Sequence, residues 1–234
     1  MKTSLLYYIF LCAKFGLSPL RFSELLSYFP DWKKSFEHGH NSVSDELPWL
    51  TFPAINWLNQ RQMSHWKVFE FGGGGSTLYF TKRAKEVITV EHDPEWFAIL
   101  AETLKKRQRE NWTGLHILPE ELTVKRGNVE DPHLYLSTDE HFLNCQFKKY
   151  ASAIDEFDNF DLVLVDGRAR NGCILHALAK IKSGAYLIVD NAERQYYTKA
   201  FQEEFAKNFT VVLDSLAPVP YTKFISKTLI LRKK

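Results

Sequence analysis

Between Lys67 and Asp190, short apolar runs recur at intervals: KVFEF (67–71), VITVE (87–91), DLVLVD (161–166) and AYLIVD (185–190). They are rich in β-branched and aromatic residues, apolar on both alternations, and separated by stretches with helical spacing. That pattern predicts parallel strands covered on both faces. After the second run, Pro94 to Arg109 places Trp96, Phe97, Leu100, Ala101 and Leu104 on one helical stripe, with Asp93 as N-cap and Pro94 at N1. A second helix is expected over about Cys173 to Lys182, with Ile174, Leu175, Leu178 and Ile181 inward and Gly184 as its stop. A third would carry Tyr197, Phe201, Phe205 and Phe209 at intervals of four. These aromatic stripes read as core. The tail, TVVLDSLAP (210–218) and TKFISKTLILRKK (222–234), predicts two strands joined by a Pro-containing loop, an antiparallel pair at the sheet edge.

The first 65 residues follow no such rhythm. Lys2 followed by the apolar stretch Leu5 to Ala13 has the size of a secretory h-region, but no small-x-small cleavage site follows and Lys14 and Phe15 come at once. Nine apolar residues cannot span a bilayer, so the stretch is expected to be a first helix packed on the domain. From Ser18 to Leu58 prolines break the apolar pattern, which predicts short helices and loops. The chain therefore divides into an N-terminal helical and loop extension, 1–65, and a domain of alternating strands and helices, 66–234.

With 234 residues, 45% of them hydrophobic and 15% aromatic, the chain can bury a sizeable core. Its net charge of +2 is too small to form a nucleic-acid footprint, and no nucleic-acid partner is expected. Three cysteines, Cys12, Cys145 and Cys173, have neither CxxC nor metal-like spacing. An odd set of this kind suits a reducing, cytoplasmic setting better than a disulfide framework.

The chemistry gathers around VFEFGGGGST (68–77), where four glycines stand between a strand and a helix expected to begin near Ser76. Such a turn lets a ligand touch bare backbone N–H groups. A phosphate-binding P-loop would need Lys before Ser or Thr, and no lysine follows Gly75. A dinucleotide fingerprint counted from Gly72 meets Thr77, and counted from Gly73 meets Leu78, where its third glycine belongs. Nineteen residues after Gly72, the second strand ends in Glu91, a carboxylate placed to accept hydrogen bonds from ribose hydroxyls. A nucleoside-bearing ligand is the expectation, against a tight turn with no ligand at all.

Taken in order, VFEFGGGGST, VITVEHDPEWF, FDLVLVDGRARNGC and GAYLIVDNAERQYY resemble the motifs of a class I S-adenosylmethionine-dependent methyltransferase, from about Trp66 to the C-terminus. The resemblance implies a Rossmann-like α/β fold: a mostly parallel seven-stranded sheet, order 3-2-1-4-5-7-6, with an antiparallel last strand and helices on both faces. It also implies S-adenosyl-L-methionine as cofactor. Glu70 and the turn Gly72, Gly73, Gly74 and Gly75 would hold its methionine end, Glu91 the ribose, and His92 and Asp93 would line the adenine side. Both GLHILPEE (114–121) and LTVKRGNVED (122–131) remain open as the third strand with its loop. The polar span from Pro119 to Phe147 is expected to be a functional loop near the strand ends or a solvated insertion.

Asp166 ends the fourth strand, where open α/β sheets gather ligands, and is the catalytic candidate for orienting the acceptor. Arg168 and Arg170 follow it and suit an anionic substrate, or else structural ion pairs. Asp166 with Asp190 and Asn191 resembles the oxygen-ligand set of metal-dependent catechol-type O-methyltransferases, which would take a divalent cation such as magnesium, unless these residues merely cap helices. The function read from this is methyl transfer to an oxygen, or second to a nitrogen, of a small molecule or glycan, with no membrane span. The competing readings are an NAD(P)-dependent oxidoreductase on the same turn and a non-catalytic cofactor-binding module.

Overall fold

The computed structural model describes residues 4–14 and 19–234. Lys2 and Phe15, which flank the first apolar run, lie outside the described residues. Seven strands, β1 (Lys67–Phe71), β2 (Glu86–Glu91), β3 (Trp112–His116), β4 (Phe160–Val165), β5 (Ile181–Val189), β6 (Phe209–Pro218) and β7 (Ile225–Lys233), form one sheet in the order 3-2-1-4-5-7-6. The first five run parallel to one another, and β7 runs antiparallel to both β5 and β6. The two tail strands thus pair as their sequence predicts.

Alternation along the central strands sends side chains to two cores. Val68, Val87, Leu162 and Leu164 pack on one face, while Phe69, Phe71, Ile88, Val90, Val163 and Val165 pack on the other. The first face is covered by α1 (Leu5–Ala13), α2 (Pro19–Ser27), α3 (Phe29–Lys34), α4 (Phe52–Asn59) and α5 (Gly75–Thr81). The N-terminal segment shares that core: Tyr8, Trp32 and Leu58 are fully buried with strand residues. Its described residues form one layer of the fold and share the sheet's core. The second face is covered by α7 (Lys148–Ser152), α8 (Arg170–Lys180) and α9 (Gln202–Asn208), and α6 (Pro94–Lys106) packs Leu100 and Leu104 on Leu78 and Trp112.

Local boundaries depart from the sequence pattern in three places. The eighth helix begins three residues earlier than expected, and Ile181 already opens β5. Gly184 therefore lies inside that strand at φ +80°, beside a register shift against β4, and stops no helix. The aromatic series Tyr197 to Phe209 is split between two single 3-10 turns, α9 and the start of β6. The third strand comes from the first of the two candidate segments, beginning two residues upstream of it at Trp112.

Candidate active site

The C-terminal ends of β1, β2, β4 and β5 open into a cavity of about 400 Å³, within the usual range for small-molecule sites. Its wall includes the glycine turn, Glu91, His92, Asp166, Arg168, Arg170, Asp190 and Asn191. All eleven candidate residues other than Glu70 and Asp93 therefore meet at one cavity, although they come from the ends of four different strands.

The four glycines turn out to serve different neighbours. Gly72 adopts φ +88°, and a Cβ there would sit 2.9 Å from Cα of Gly167, where the loops after β1 and β4 cross. At Gly73 a Cβ would lie 2.6 Å from Cδ2 of Leu100, and at Gly75 it would enter the carbonyl oxygens of Ser42 and Leu47. Only at Gly74 is the space open, with Cζ2 of Trp96 at 3.9 Å. Backbone packing thus demands Gly72 and Gly75, Gly73 faces side chains that could shift, and Gly74 is the position left open for a ligand to approach.

Glu70 is fully buried beneath the turn and is absent from the cavity wall. The Thr77 hydroxyl donates to its Oε2, as does that of Thr89 at 3.0 Å, while Thr77 Oγ1 accepts the Gly74 N–H at 2.9 Å. The acid therefore holds the turn through Thr77, in contrast to the expected direct contact. Its Oε1 has no partner among the described residues, and burial raises its pKa to about 7.

Glu91 does reach the cavity. Its Oε2 accepts from the Gly73 N–H at 3.0 Å, and its Oε1 from the N–H groups of His92 (2.7 Å) and Asp93 (3.0 Å). Burial would raise this carboxyl, but the donors from His92, Asp93 and Gly73 outweigh it and keep the pKa below the usual value. A carboxylate offers about four acceptor positions, so Oε2 retains one for a ligand hydroxyl. The His92 ring lies edge-on to Phe142, Phe147 and Tyr150. Asp93 is exposed and accepts from the Trp96 N–H at 2.9 Å, so it caps α6 and does not line the cavity.

Asp166, Asp190 and Asn191 converge on the cavity as expected, but they do not fit a divalent cation. The charge between the two carboxylates is Arg170, whose Nη2 lies 2.9 Å from Asp166 Oδ1 and whose Nη1 lies 3.9 Å from Asp190 Oδ2. Asp190 Oδ1 accepts from Thr228, and the Asn191 amide donates to Ser226. Among the described residues no group of three or more His, Cys, Asp or Glu side chains is placed to hold a metal. Burial raises Asp166 to about 6 and Asp190 to about 8, each also pushed up by neighbouring carboxylates and opposed by Arg170.

The same geometry gives Arg170 the structural ion pairs that stood as the alternative to a substrate role. Its guanidinium donates to the carbonyls of Gly167, Asp190 and Asp166 and to the Asp166 carboxylate, so its fork ties the ends of β4 and β5 together. Arg168 remains at the cavity, 2.7 Å from Asp139 and stacked over Phe142. Several wall residues carry no role in the sequence motifs, among them Trp96, Trp49, Val219 and Phe224. Trp96, read as core, donates its indole N–H to the Gly73 carbonyl at 2.7 Å. Trp49, Val219 and Phe224 come from the N-terminal layer and the β6–β7 connection. An aromatic residue in the first turn after the Glu91 motif was the available signal for Trp96. Nothing local marks the other three.

No protein-family model matches the sequence, and no curated protein matches it. Solved structures do match in fold. The O-methyltransferase from Bacillus cereus, crystallised in complex with SAH, is 14% identical at a TM-score of 0.56, over 97% of this chain and 96% of that one. TrmN from Thermus thermophilus is 11% identical at a TM-score of 0.53, over 89% of this chain and 53% of that one. With its strand order, its reversed final pair and its helices on both faces, this chain has the Rossmann-like fold of the class I S-adenosylmethionine-dependent methyltransferases.

Proposed function

We propose that this protein is an S-adenosylmethionine-dependent methyltransferase acting on an oxygen of a small acceptor. The observation that carries the reading is the single cavity in which an open glycine turn, a strand-terminal carboxylate with a spare acceptor position, and two carboxyls of raised pKa face one another. The fold shared with the Bacillus cereus enzyme supports it. Gly74 and Glu91 would hold the cofactor's amino-acid and ribose parts, and Trp96 and His92 line the same cavity. When bound, S-adenosylmethionine supplies an electrophilic methyl group on a sulfonium and leaves as a neutral thioether.

The chain's own task is then alignment and removal of one proton. Asp166, raised to about 6, is mostly ionised at neutral pH yet basic enough to take the acceptor's hydroxyl proton as its oxygen becomes a nucleophile. Arg170 fixes that carboxylate's position through its bond to Oδ1. The Trp49 and Phe224 side chains at the cavity rim narrow the approach and exclude water. A metal is given no part, because Arg170 supplies the positive charge between the two strand ends.

Thermal denaturation tests the reading directly. S-adenosylmethionine and S-adenosylhomocysteine should both raise the melting temperature, with stabilisation growing as the logarithm of concentration above Kd. NADH should have no effect. A shift with NADH and none with either sulfur nucleoside would move the assignment to the oxidoreductase class. In an assay that shows methyl transfer, EDTA should leave the rate unchanged.

A further inference from the structure

Beside the main cavity lies a second of about 190 Å³, walled in part by Ser137, Asp139, Arg194 and Tyr197, and sharing Gly167, Arg168 and Arg170 with the first. Its lining holds three arginines, Arg168, Arg170 and Arg194, against one carboxylate, Asp139, a formal excess of two positive charges. Arg170 is paired from behind with Asp166 and Asp190, so its donors are committed, and those left for a ligand belong to the other two. Arg168 gives Nη1 to Asp139 and Nε to His92, and its Nη2 has no protein acceptor among the described residues. Arg194 gives Nη1 to the Tyr197 hydroxyl at 3.3 Å, and its Nε stands 4.0 Å from Glu193. Its Nη2 likewise has no protein acceptor among the described residues. Glu193 is itself engaged, by Ser226 and the Lys227 N–H.

A buried reporter shows the sign of the field. Burial alone would push the Tyr197 hydroxyl up, yet Arg170 and Arg194 hold it below the ordinary tyrosine value. A cavity whose positive field overcomes desolvation favours an anion of matching size, and two guanidinium ends offer the paired donors that oxyanions accept.

We propose that this second cavity is an oxyanion subsite for the methyl acceptor, so that the substrate is a small molecule carrying a phosphate, sulfate or carboxylate group. This rests on the methyl-transfer reading. Arg194 and Arg168 grip the anionic group, and the shared wall at Gly167 to Arg170 carries the acceptor's hydroxyl into the main cavity beside Asp166. A polymer backbone is the poorer match, since it needs a track of cations over several phosphates, and here the excess is confined to one recess in a chain of net charge +2.

Calorimetry on the full chain separates the two readings. S-adenosylhomocysteine is titrated first, and the saturated protein is then titrated with inorganic phosphate, sulfate, acetate and a single-stranded oligonucleotide lacking terminal phosphates. Phosphate and sulfate should bind without displacing the nucleoside. Arg194→Gln, at a half-exposed position with its melting temperature checked, should weaken phosphate binding roughly ten-fold or more, and Arg194→Lys should recover part of the loss. Equal phosphate affinity in wild type and Arg194→Gln, or none in the wild type while S-adenosylhomocysteine binds, overturns the subsite alone. Oligonucleotide binding that displaces phosphate overturns the small-molecule acceptor. Phosphate binding without any nucleoside binding overturns the methyl-transfer reading.

Discussion

At the scale of single residues, the four glycines make separable demands. Gly74 has an extended backbone that any residue can adopt and open space around its Cβ direction, so Gly74→Val should fold with a near-native melting temperature. It should also lose S-adenosylhomocysteine binding, because the isopropyl group stands where the ligand must approach. Gly75→Ala should do the reverse. Its methyl would enter the Ser42 and Leu47 carbonyls, displacing the N-terminal layer and lowering stability by about 1–3 kcal/mol. Paired melting and calorimetric measurements check both, and similar losses of binding at equal stability would defeat the distinction. Beneath them, Thr77→Val should cost about 1–3 kcal/mol by leaving Glu70 and the Gly74 N–H without their shared partner.

At the scale of elements, the cavity depends on pieces remote in sequence. Trp32 on α3 is fully buried and donates its indole N–H to the Thr222 carbonyl at 2.8 Å. Thr222 belongs to the β6–β7 connection, which also carries Val219 and Phe224 to the cavity wall. Trp32→Ala should therefore lose about 3–5 kcal/mol in urea denaturation and weaken ligand binding in the molecules that stay folded. An unchanged unfolding midpoint would show that the N-terminal layer lies outside the cooperative unit. Likewise the long connection between β3 and β4 is tied down by a two-residue ladder, Glu120–Glu121 with Cys145–Gln146. It sends Asp139 to Arg168 and Phe142 to His92, so it supplies one wall of the second cavity.

At the scale of the whole molecule, three buried carboxyls set the response to pH. Burial raises Asp166 to about 6, Glu70 to about 7 and Asp190 to about 8, against about 4 in an unfolded chain. Between those values the folded state binds more protons than the unfolded one, so stability falls as pH rises. Their contribution is complete below about pH 4 and is lost progressively through pH 6 to 8. Glu46, Glu91 and Asp139, whose pKa values are lowered by their donors and cationic partners, act in the opposite sense and lose their contribution in acid. The ligand-free protein should therefore melt at its highest temperature near pH 5. Asp190→Asn, which imitates the protonated acid, should raise the melting temperature far more at pH 8 than at pH 5. A melting temperature that climbs steadily from pH 5 to 8 would contradict this charge assignment.

The local sequence settled what depends on near neighbours along the chain. Unbroken β-branched runs fixed four of the parallel strands, Asp93 and Pro94 fixed the start of α6, and the motif ends placed Glu91, Asp166 and Asp190 at one edge of the sheet. β3 stayed ambiguous because it is an edge strand that buries no residue fully and so carries a weak apolar signal. The roles at the site were decided by tertiary structure alone. Whether a glycine serves packing or a ligand depends on which carbonyl or side chain lies across from it, as Ser42 does for Gly75. Whether an acid pair takes a metal or an arginine depends on a guanidinium at the first residue of α8, four residues after Asp166, folding back between two strands. Trp49 and Phe224 reach the cavity from segments about 175 residues apart, and no pattern local to either can record that meeting, because burial and field are properties of the packed chain.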